Sequence, residues 1–336
     1  MDPGLAVALM LALAFAATNG IHDASNAIAT LVATRAATPL QAIIMASFFN
    51  LLGPLLIGGA VAETIAGIVT VPADQAVAVI GAGMAAAVSW NLLTWRRGLP
   101  SSSSHALVGG LVGAALADGG ISAVQWGGLD GLHPVGVFGA LMALAVSPVL
   151  GFAVALLLIR GLRRFGRRAT RRWTGVASSG QWFTSAALAF SHGANDAQKS
   201  VGVIAALLLA AGQTDNLNPP AWVVPACAFA LTFGTALGGW RIIRTVGRGI
   251  YRIGPADGMA SQSASAAVIF GSSLVGAPAS TSQVVSSSIV GVGGGRQRWR
   301  HVNWATVREI VLAWVITLPA AAVLAMAIYV VITWLA

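Results

Sequence analysis

The sequence predicts an all-α polytopic membrane protein built from two repeated halves. Hydrophobic residues make up 57% of the 336 residues and charged residues only 9%, whereas soluble proteins average about 25% charged residues. The mean hydropathy is +0.80. Two short polar signatures each occur twice, and every copy lies in an apolar stretch. The composition indicates a membrane protein, and the recurrence indicates a duplicated unit.

Apolar runs define the predicted elements in chain order. A hydrocarbon core of ~30 Å takes about 20 helical residues to cross. Runs of that length lie at 4–34, 38–60, 73–95, 134–159, 222–243 and 304–335. Shorter runs, interrupted by Ser or Gly, lie at 100–117, 181–211, 257–275 and 278–293. Together they predict about ten spans, and Asp2 with no basic residue near it argues that the first is a span rather than a signal peptide.

The arginines predict the orientation. They lie in loops, and the positive-inside rule places such loops in the cytoplasm, so the net charge of +9 does not require a nucleic-acid partner. Acidic loops with Glu63, Asp118 and Asp215 then lie outside, and so do both termini. The protein is predicted to lie in the cell (inner) membrane. Each half has an odd number of crossings, so the second half is predicted to insert inverted. The predicted units are an N-terminal repeat at 1–160, a basic cytoplasmic linker at 161–180 and a C-terminal inverted repeat at 181–336.

One signature is a proline followed by a hydroxyl cluster, PSSSSHAL at 100–107 and PASTSQVV at 278–285. This pattern predicts a helix N-terminus capped by Ser or Thr. Free N–H groups, the helix dipole and hydroxyls suit an anion there, so two such termini facing each other predict one oxyanion pocket. The alternative is that the serines only let helices pack closely. The candidate anion-binding residues are Ser102, Ser103, Ser104, Ser280, Thr281 and Ser282, with His105 and Gln283 in the same pocket.

The other signature places a carboxylate in each half, NGIHDASNA at 19–27 and SHGANDAQK at 191–199. A carboxylate within a span costs roughly 2.5–3.5 kcal/mol on insertion, so it usually has a partner or a function. The alternative to a functional role is a structural one, in which helix N–H groups at a kink bind the aspartate. Amide oxygens suit a hard cation and histidine carries a proton. Gly20 and Gly193 predict a break in each helix. The candidate coupling residues are Asp23, Asp196, Asn19, His22, Asn26, Asn195, Gln198 and Lys199, with His192 and Asn50 in the same pocket.

Lys199 occupies the slot that Asn26 fills in the first half. It is either a built-in cation for Asp196 or an anion, or a snorkelling side chain near a helix end. A few histidines without tight spacing are weak grounds for a metal site, so the metal is left open.

These signatures resemble those of the PiT inorganic phosphate transporters, which carry two GAND-type motifs and paired Ser/Thr hairpins. The stretch GTALGGWRIIRTVG at 234–247 also resembles that family. The resemblance covers both repeats. It implies an inverted-repeat carrier, without a cofactor and typically a homodimer in the bilayer, that binds phosphate at the hydroxyl clusters and the coupling cation near the two aspartates.

Three positions depart from the sodium-coupled members. His22 and Lys199 stand where those members have Asn, and Asn50 stands where they tend to have Glu. At these positions the chain resembles the bacterial low-affinity branch of the family. This resemblance implies proton symport of phosphate, which is taken up with a divalent metal. Sodium coupling is the alternative.

Two other classes can be weighed against a carrier. An intramembrane hydrolase would place one nucleophile in one site, and an anion channel would show a continuous polar stripe. The polar groups here are instead duplicated symmetrically, which favours a carrier over an enzyme.

Overall fold

The computed structural model describes residues 2–165, 171–238, 242–243 and 245–335. Within these ranges the chain is mostly helical, and two short strands, β1 (Gly128–Asp130) and β2 (His133–Val135), form an antiparallel hairpin. The helices are α1 (Pro3–Ala33), α2 (Pro39–Leu56), α3 (Ala60–Ala66), α4 (Ala73–Arg97), α5 (Ser103–Gly119), α6 (Gly136–Phe165), α7 (Arg171–Ala210), α8 (Val223–Leu237), α9 (Pro255–Leu274), α10 (Thr281–Gly295) and α11 (Trp304–Leu335).

Six helices of the described ranges are long and apolar enough to span a membrane: α1, α2, α4, α5 with its following turn, α6 and α11. The fold is therefore all-α and polytopic, as predicted. Helix α8 is apolar but has only 15 residues. The count of about ten spans stays a prediction. The predicted run at 222–243 extends over 239–241, which lie outside the described residues.

Helix starts follow local chemistry. Asp2 accepts a hydrogen bond from the N–H of Leu5 at 2.9 Å, and a proline follows it at the first helical position of α1. Thr38 and Gln41 form a capping box at the start of α2, again with a proline at its first position. These caps satisfy N–H groups that the first helical turn leaves free.

The two halves pack in a reciprocal pattern. Helix α1 packs on α8 as α7 packs on α2, and α5 packs on α11 as α10 packs on α6. Helix α1 also packs on α4 as α7 packs on α9. This exchange of partners places α1 and α7, which carry the aspartates, beside each other. The inversion of one half relative to the other stays a prediction.

The predicted breaks at Gly20 and Gly193 are wrong. Helices α1 and α7 run through these glycines without interruption. Each glycine instead allows a second helix to approach: an added Cβ would lie 2.0 Å from the Leu231 carbonyl oxygen at Gly20, and 2.2 Å from the Asn50 carbonyl oxygen at Gly193. These glycines therefore serve close helix packing, as small residues do in membranes.

The chain does turn at the Pro-Ser signatures. Helix α4 turns into α5 at 98–102, and α9 turns into α10 at 275–280. We call these helical pairs hairpin 1 and hairpin 2. Gly98 begins the first turn at φ +67° and Gly276 lies in the second at φ +70°, a left-handed conformation that favours glycine.

The predicted basic linker is helical wherever it is described. Residues 161–165 end α6 and residues 171–180 begin α7. Residues 166–170 lie outside the described residues. The boundary between the two repeats stays a prediction.

Candidate functional site

The two signature aspartates meet at one hydroxyl group. Asp23 is 3% exposed and Asp196 is 1% exposed. The Oγ1 of Thr281, at the start of α10, lies 3.1 Å from Oδ2 of Asp23 and 3.2 Å from Oδ2 of Asp196. The carboxylates of both halves therefore share a donor from hairpin 2.

Each half also contacts the hydroxyl cluster of the other half. Asn26 Nδ2 donates to Ser282 Oγ at 3.0 Å, and Ser282 donates to Asp23. At the matched positions, Lys199 Nζ donates to Ser104 Oγ at 2.6 Å. Ser104 in turn donates to a carbonyl of hairpin 2 at 3.1 Å. The structure thus joins the aspartates and the two hydroxyl clusters in a single buried site.

Lys199 is a buried cation with three oxygen partners. Its Nζ donates to the carboxylate of Asp196, to Ser104 Oγ and, at 2.8 Å, to the carbonyl oxygen of Ala279. The residue is 1% exposed. A snorkelling lysine would hold its ammonium group near the surface, so the structure supports the built-in cation instead.

His192 connects Asp196 to α2 and α8. Its Nε2 lies 2.8 Å from Oδ2 of Asp196, without the alignment of a hydrogen bond, and its Nδ1 lies 2.9 Å from Oδ1 of Asn50. Asn50 Nδ2 donates to Thr235 Oγ1 at 2.9 Å. The amide of Asn50 is therefore oriented with its oxygen toward the imidazole.

His22 and Asn195, matched in the two halves, each hold the hairpin of their own half. His22 Nε2 lies 3.3 Å from Thr94 Oγ1 and 3.2 Å from Ser101 Oγ, and its Nδ1 lies 3.4 Å from Oδ1 of Asp23. Asn195 Nδ2 donates to Ser273 Oγ at 2.9 Å. Its Oδ1 accepts from a backbone N–H of hairpin 2 at 3.2 Å. The first half thus has an imidazole beside its carboxylate where the second half has an amide turned away to the hairpin.

Several predicted residues lie at the edge of this site. Gln198 Oε1 accepts from the N–H of Val61 at 2.9 Å and so holds α3. Ser102 caps α5 through the N–H of His105 at 3.2 Å. Ser280 precedes α10 and makes no capping hydrogen bond with its side chain.

A second group of residues is buried, and some of their polar atoms have no hydrogen-bond partner among the described residues. It comprises the hydroxyl of Ser103, the Oδ1 of Asn26 and both amide atoms of Asn19. The two hairpins also contact each other, since Gln283 Nε2 lies 3.5 Å from His105 Nδ1. Unpartnered buried groups cost free energy, so these atoms are available to a ligand or to water.

The sequence did not single out Thr94, Ser101, Thr235 or the carbonyl of Ala279. Ser101 lies within the first Pro-Ser signature and Thr94 precedes it in an apolar run, so a hydroxyl was the available signal at both positions. No side-chain pattern marks a backbone carbonyl as a ligand.

A cluster of His192 with the two aspartates has donor atoms within 4.8 Å of one another. An imidazole nitrogen and two carboxylate oxygens form a donor set that suits a divalent cation. These groups stand beside the hydroxyls of hairpin 2, so cation and anion chemistry are adjacent.

A polytopic helical protein whose two halves share one buried polar site has the architecture of a secondary transporter. A family model described as the phosphate transporter family matches residues 19–325. The chain belongs to this family, which is not one of enzymes.

Curated relatives agree with the family. A "Probable low-affinity inorganic phosphate transporter" of Rhizobium meliloti is 41% identical, with 98% of each chain covered. A protein of the same name from Bacillus subtilis is 40% identical, with 94% of this chain and 93% of the relative covered. A solved structure, described as "The sodium-dependent phosphate transporter", has a TM-score of 0.81 over 99% of this chain and 100% of the other, at 24% identity, and supports the fold.

Proposed function

We propose that this chain imports inorganic phosphate by proton symport. The observation that carries the proposal is that the hydroxyl donors of hairpin 2 are bound to carboxylates. The Thr281 hydroxyl lies within hydrogen-bond distance of both aspartates and can donate its one proton to either, and Ser282 donates to Asp23. A phosphate anion that takes these donors would lie against two carboxylates, which is unfavourable unless protons or a cation enter with it. Phosphate binding is therefore linked to the binding of positive charge.

The polar partners of His192 support the proton as the coupling ion. Asn50 Oδ1 can only accept, so Nδ1 of His192 carries a hydrogen toward it. Its Nε2 lies 2.8 Å from a carboxylate oxygen of Asp196, although the two groups are not aligned as a hydrogen bond. A proton on Nε2 would be stabilised by this carboxylate once the two groups align. We therefore assign the proton-binding role to this buried pair.

The position of Lys199 also favours protons over sodium. Three oxygens surround its ammonium group, the kind of ligands that a sodium ion would use. Because the ammonium fills this space, a mobile cation is not needed beside Asp196. Sodium coupling is the second candidate, and the similarity of the fold to that of a sodium-dependent transporter favours it.

The cargo itself could include a metal. The cluster of Asp23, His192 and Asp196 could hold a divalent cation that travels with phosphate as substrate. We propose no resident cofactor.

The membrane placement follows from the same proposal. Helices α6 and α11 leave most of their apolar surface uncovered, as a lipid-facing or dimer-facing helix does. We place the protein in the cell's inner membrane as a homodimer, with both termini outside, because the basic loops then face the cytoplasm.

Cysteine labelling tests this orientation. Cysteines at Ser122 and Asn216, in exposed acidic segments, should react with an impermeant thiol reagent added to intact cells. A cysteine at Arg164, at the basic end of α6, should react only after permeabilisation. Reaction of Ser122→Cys and Asn216→Cys from opposite sides would contradict the inverted arrangement.

The anion site is tested by Thr281→Val. This change removes the hydroxyl shared by the two aspartates, and phosphate binding should weaken about tenfold or more, since a hydrogen bond to a charged group contributes about 1.5–3 kcal/mol. Phosphate affinity is measured by isothermal titration calorimetry of the purified protein. Ser288→Ala is the matched control, because Ser288 is a buried hydroxyl of the same helix that donates to the Gly151 carbonyl instead. Equal phosphate affinity in Thr281→Val and the control would refute the assignment.

A further inference from the structure

A chain of polar side chains runs between α1, α7 and α9. Gln262 of α9 donates from Nε2 to Thr30 Oγ1 of α1 at 2.7 Å and accepts from Thr184 Oγ1 of α7 at 2.6 Å. Further along, Thr34 Oγ1, at the C-terminal cap of α1, donates to Gln181 Oε1 of α7 at 3.0 Å. On α9, Ser261 directly precedes Gln262 and Ser265 lies about one helical turn after it. We call the set the polar seam: Thr30, Thr34, Gln181, Thr184, Ser261, Gln262 and Ser265.

The polar seam has unused hydrogen-bonding capacity. Among the described residues, the hydroxyls of Ser261 and Ser265 and the Nε2 of Gln181 are buried without a partner. These three residues are at most 1% exposed. Buried polar groups are normally paired, so these unpaired groups are able to hydrogen-bond to water or to a polar ligand.

The matched surface of the other half is apolar. The alignment of the two aspartates pairs Thr30 with Val203 and Thr34 with Leu207. Val203 and Leu207 are both buried in a hydrophobic core cluster. The two threonines are therefore not required by the way in which α1 and α7 pack.

The third helix of the polar seam, α9, also has an apolar counterpart in the other half. His22 meets Thr94 of α4 as Asn195 meets Ser273 of α9, and this correspondence pairs the polar residues 261, 262 and 265 with residues 82, 83 and 86. These are Ala82, Gly83 and Ala86, and both alanines belong to the apolar core cluster. Only one of two equivalent helix interfaces is polar, so its polarity serves a purpose other than packing.

The polar seam leads from the site toward one end of the molecule. Thr30 lies one helical turn beyond Asn26, which contacts the hydroxyl cluster of hairpin 2. Thr34, half-buried, is followed by Arg35. The N-terminal ends of α7 and α9 lie at this end too, next to the basic segments that the positive-inside rule places in the cytoplasm.

Resting on the proposed phosphate transport, we propose that the polar seam is the route by which phosphate leaves the site toward the cytoplasm, and that Gln262 is the latch that closes it. Hydroxyls and amides can hydrogen-bond a passing oxyanion without binding it as tightly as arginine would. The two hydrogen bonds of Gln262 join α1, α7 and α9, so the route opens only when they break.

Thiol labelling tests the route directly. Ser265→Cys and its matched control Ala86→Cys are each made in a Cys227→Ser background, since Cys227 is the only cysteine. An anionic methanethiosulfonate reagent is applied to inside-out and right-side-out vesicles. Ser265→Cys should react about tenfold faster than Ala86→Cys, from the cytoplasmic side only, since an apolar interface excludes a charged reagent. Saturating inorganic phosphate should slow the reaction.

Equal reaction rates at the two positions, reaction of Ser265→Cys from the outer side, or reaction unaffected by phosphate would overturn the route. This readout does not depend on transport. Failure of the proposed function would show instead as a wild-type protein that neither binds nor takes up phosphate.

The latch is tested by Gln262→Met, which keeps the side-chain length but removes both hydrogen bonds, so that the route is no longer held closed on the cytoplasmic side. Phosphate uptake should fall about tenfold while phosphate affinity, measured by calorimetry on the purified protein, stays at the wild-type value. Retained binding shows that the variant folds. Uptake at the wild-type rate, or a loss of binding that parallels the loss of uptake, would contradict the role of Gln262.

Discussion

Replacement of Lys199 by methionine is expected to abolish phosphate uptake and to destabilise the protein. The ammonium group is the cationic partner of Asp196, and both residues are 1% exposed. Removing one partner of a buried ion pair leaves the other charge uncompensated, which costs about 3–5 kcal/mol. Chemical unfolding in detergent and uptake of labelled phosphate into proteoliposomes measure the two effects.

The double variant Lys199→Met with Asp196→Asn separates stability from transport. It removes both charges, so stability should return toward the wild-type value, because a buried ion pair contributes little net stability. Uptake should stay lost, since the site then lacks one of its two carboxylates. A Lys199→Met variant that unfolds like the wild type would show that the ammonium is not the charge partner of Asp196.

The second large effect is expected from His22→Asn combined with Lys199→Asn. His22 is the imidazole beside Asp23, and Lys199 is the built-in cation beside Asp196. The two changes place asparagine at the two positions where the resemblance to the sodium-coupled members implies it. The variant should lose uptake driven by a proton gradient, because the first half no longer has a proton carrier next to its carboxylate and Asp196 no longer has its cationic partner.

His301→Asn is the control for this variant. His301 is an exposed histidine between α10 and α11, outside the site. It should leave proton-driven uptake unchanged. Proton-driven uptake that survives in the double variant would remove His22 and Lys199 from the coupling mechanism.

The duplicated signatures predicted which residues of the two halves correspond, because a carboxylate in an apolar span is rare enough to align on. They did not predict that Asn26 would contact Ser282, or that Lys199 would contact Ser104. Those contacts cross from one half to the other. They depend on how α1 and α7 pack, which no local pattern encodes.

Gly20 and Gly193 show why the predicted helix breaks failed. A glycine in a span permits a break and also permits a close helix contact, and the sequence does not distinguish the two. The choice is made by Leu231 and Asn50, whose carbonyl oxygens occupy the space that a Cβ would need. Only the tertiary structure places them there.

Asn195 and Gln198 illustrate a similar limit within the site. Both lie within two residues of Asp196 along the chain, so both were reasonable ligands for a cation. On a helix, however, neighbouring residues point in different directions. Asn195 faces hairpin 2 and Gln198 faces α3.

The polar seam is visible in the sequence as a difference between the two halves. Residues 261–265 read SQSAS within an apolar run, whereas the matched residues 82–86 read AGMAA. A comparison of the two halves for differences, rather than for similarities, would have found Gln262. The asymmetry matters because one half provides the path that the other half lacks.

Uptake of labelled phosphate by purified protein in proteoliposomes tests the central claim most directly. An inward proton gradient is imposed with and without sodium, and with and without magnesium. The account predicts uptake that follows the proton gradient and does not respond to sodium. Uptake that is stimulated by sodium and indifferent to the proton gradient would contradict proton symport, and no phosphate uptake under any of these conditions would contradict the proposed function itself.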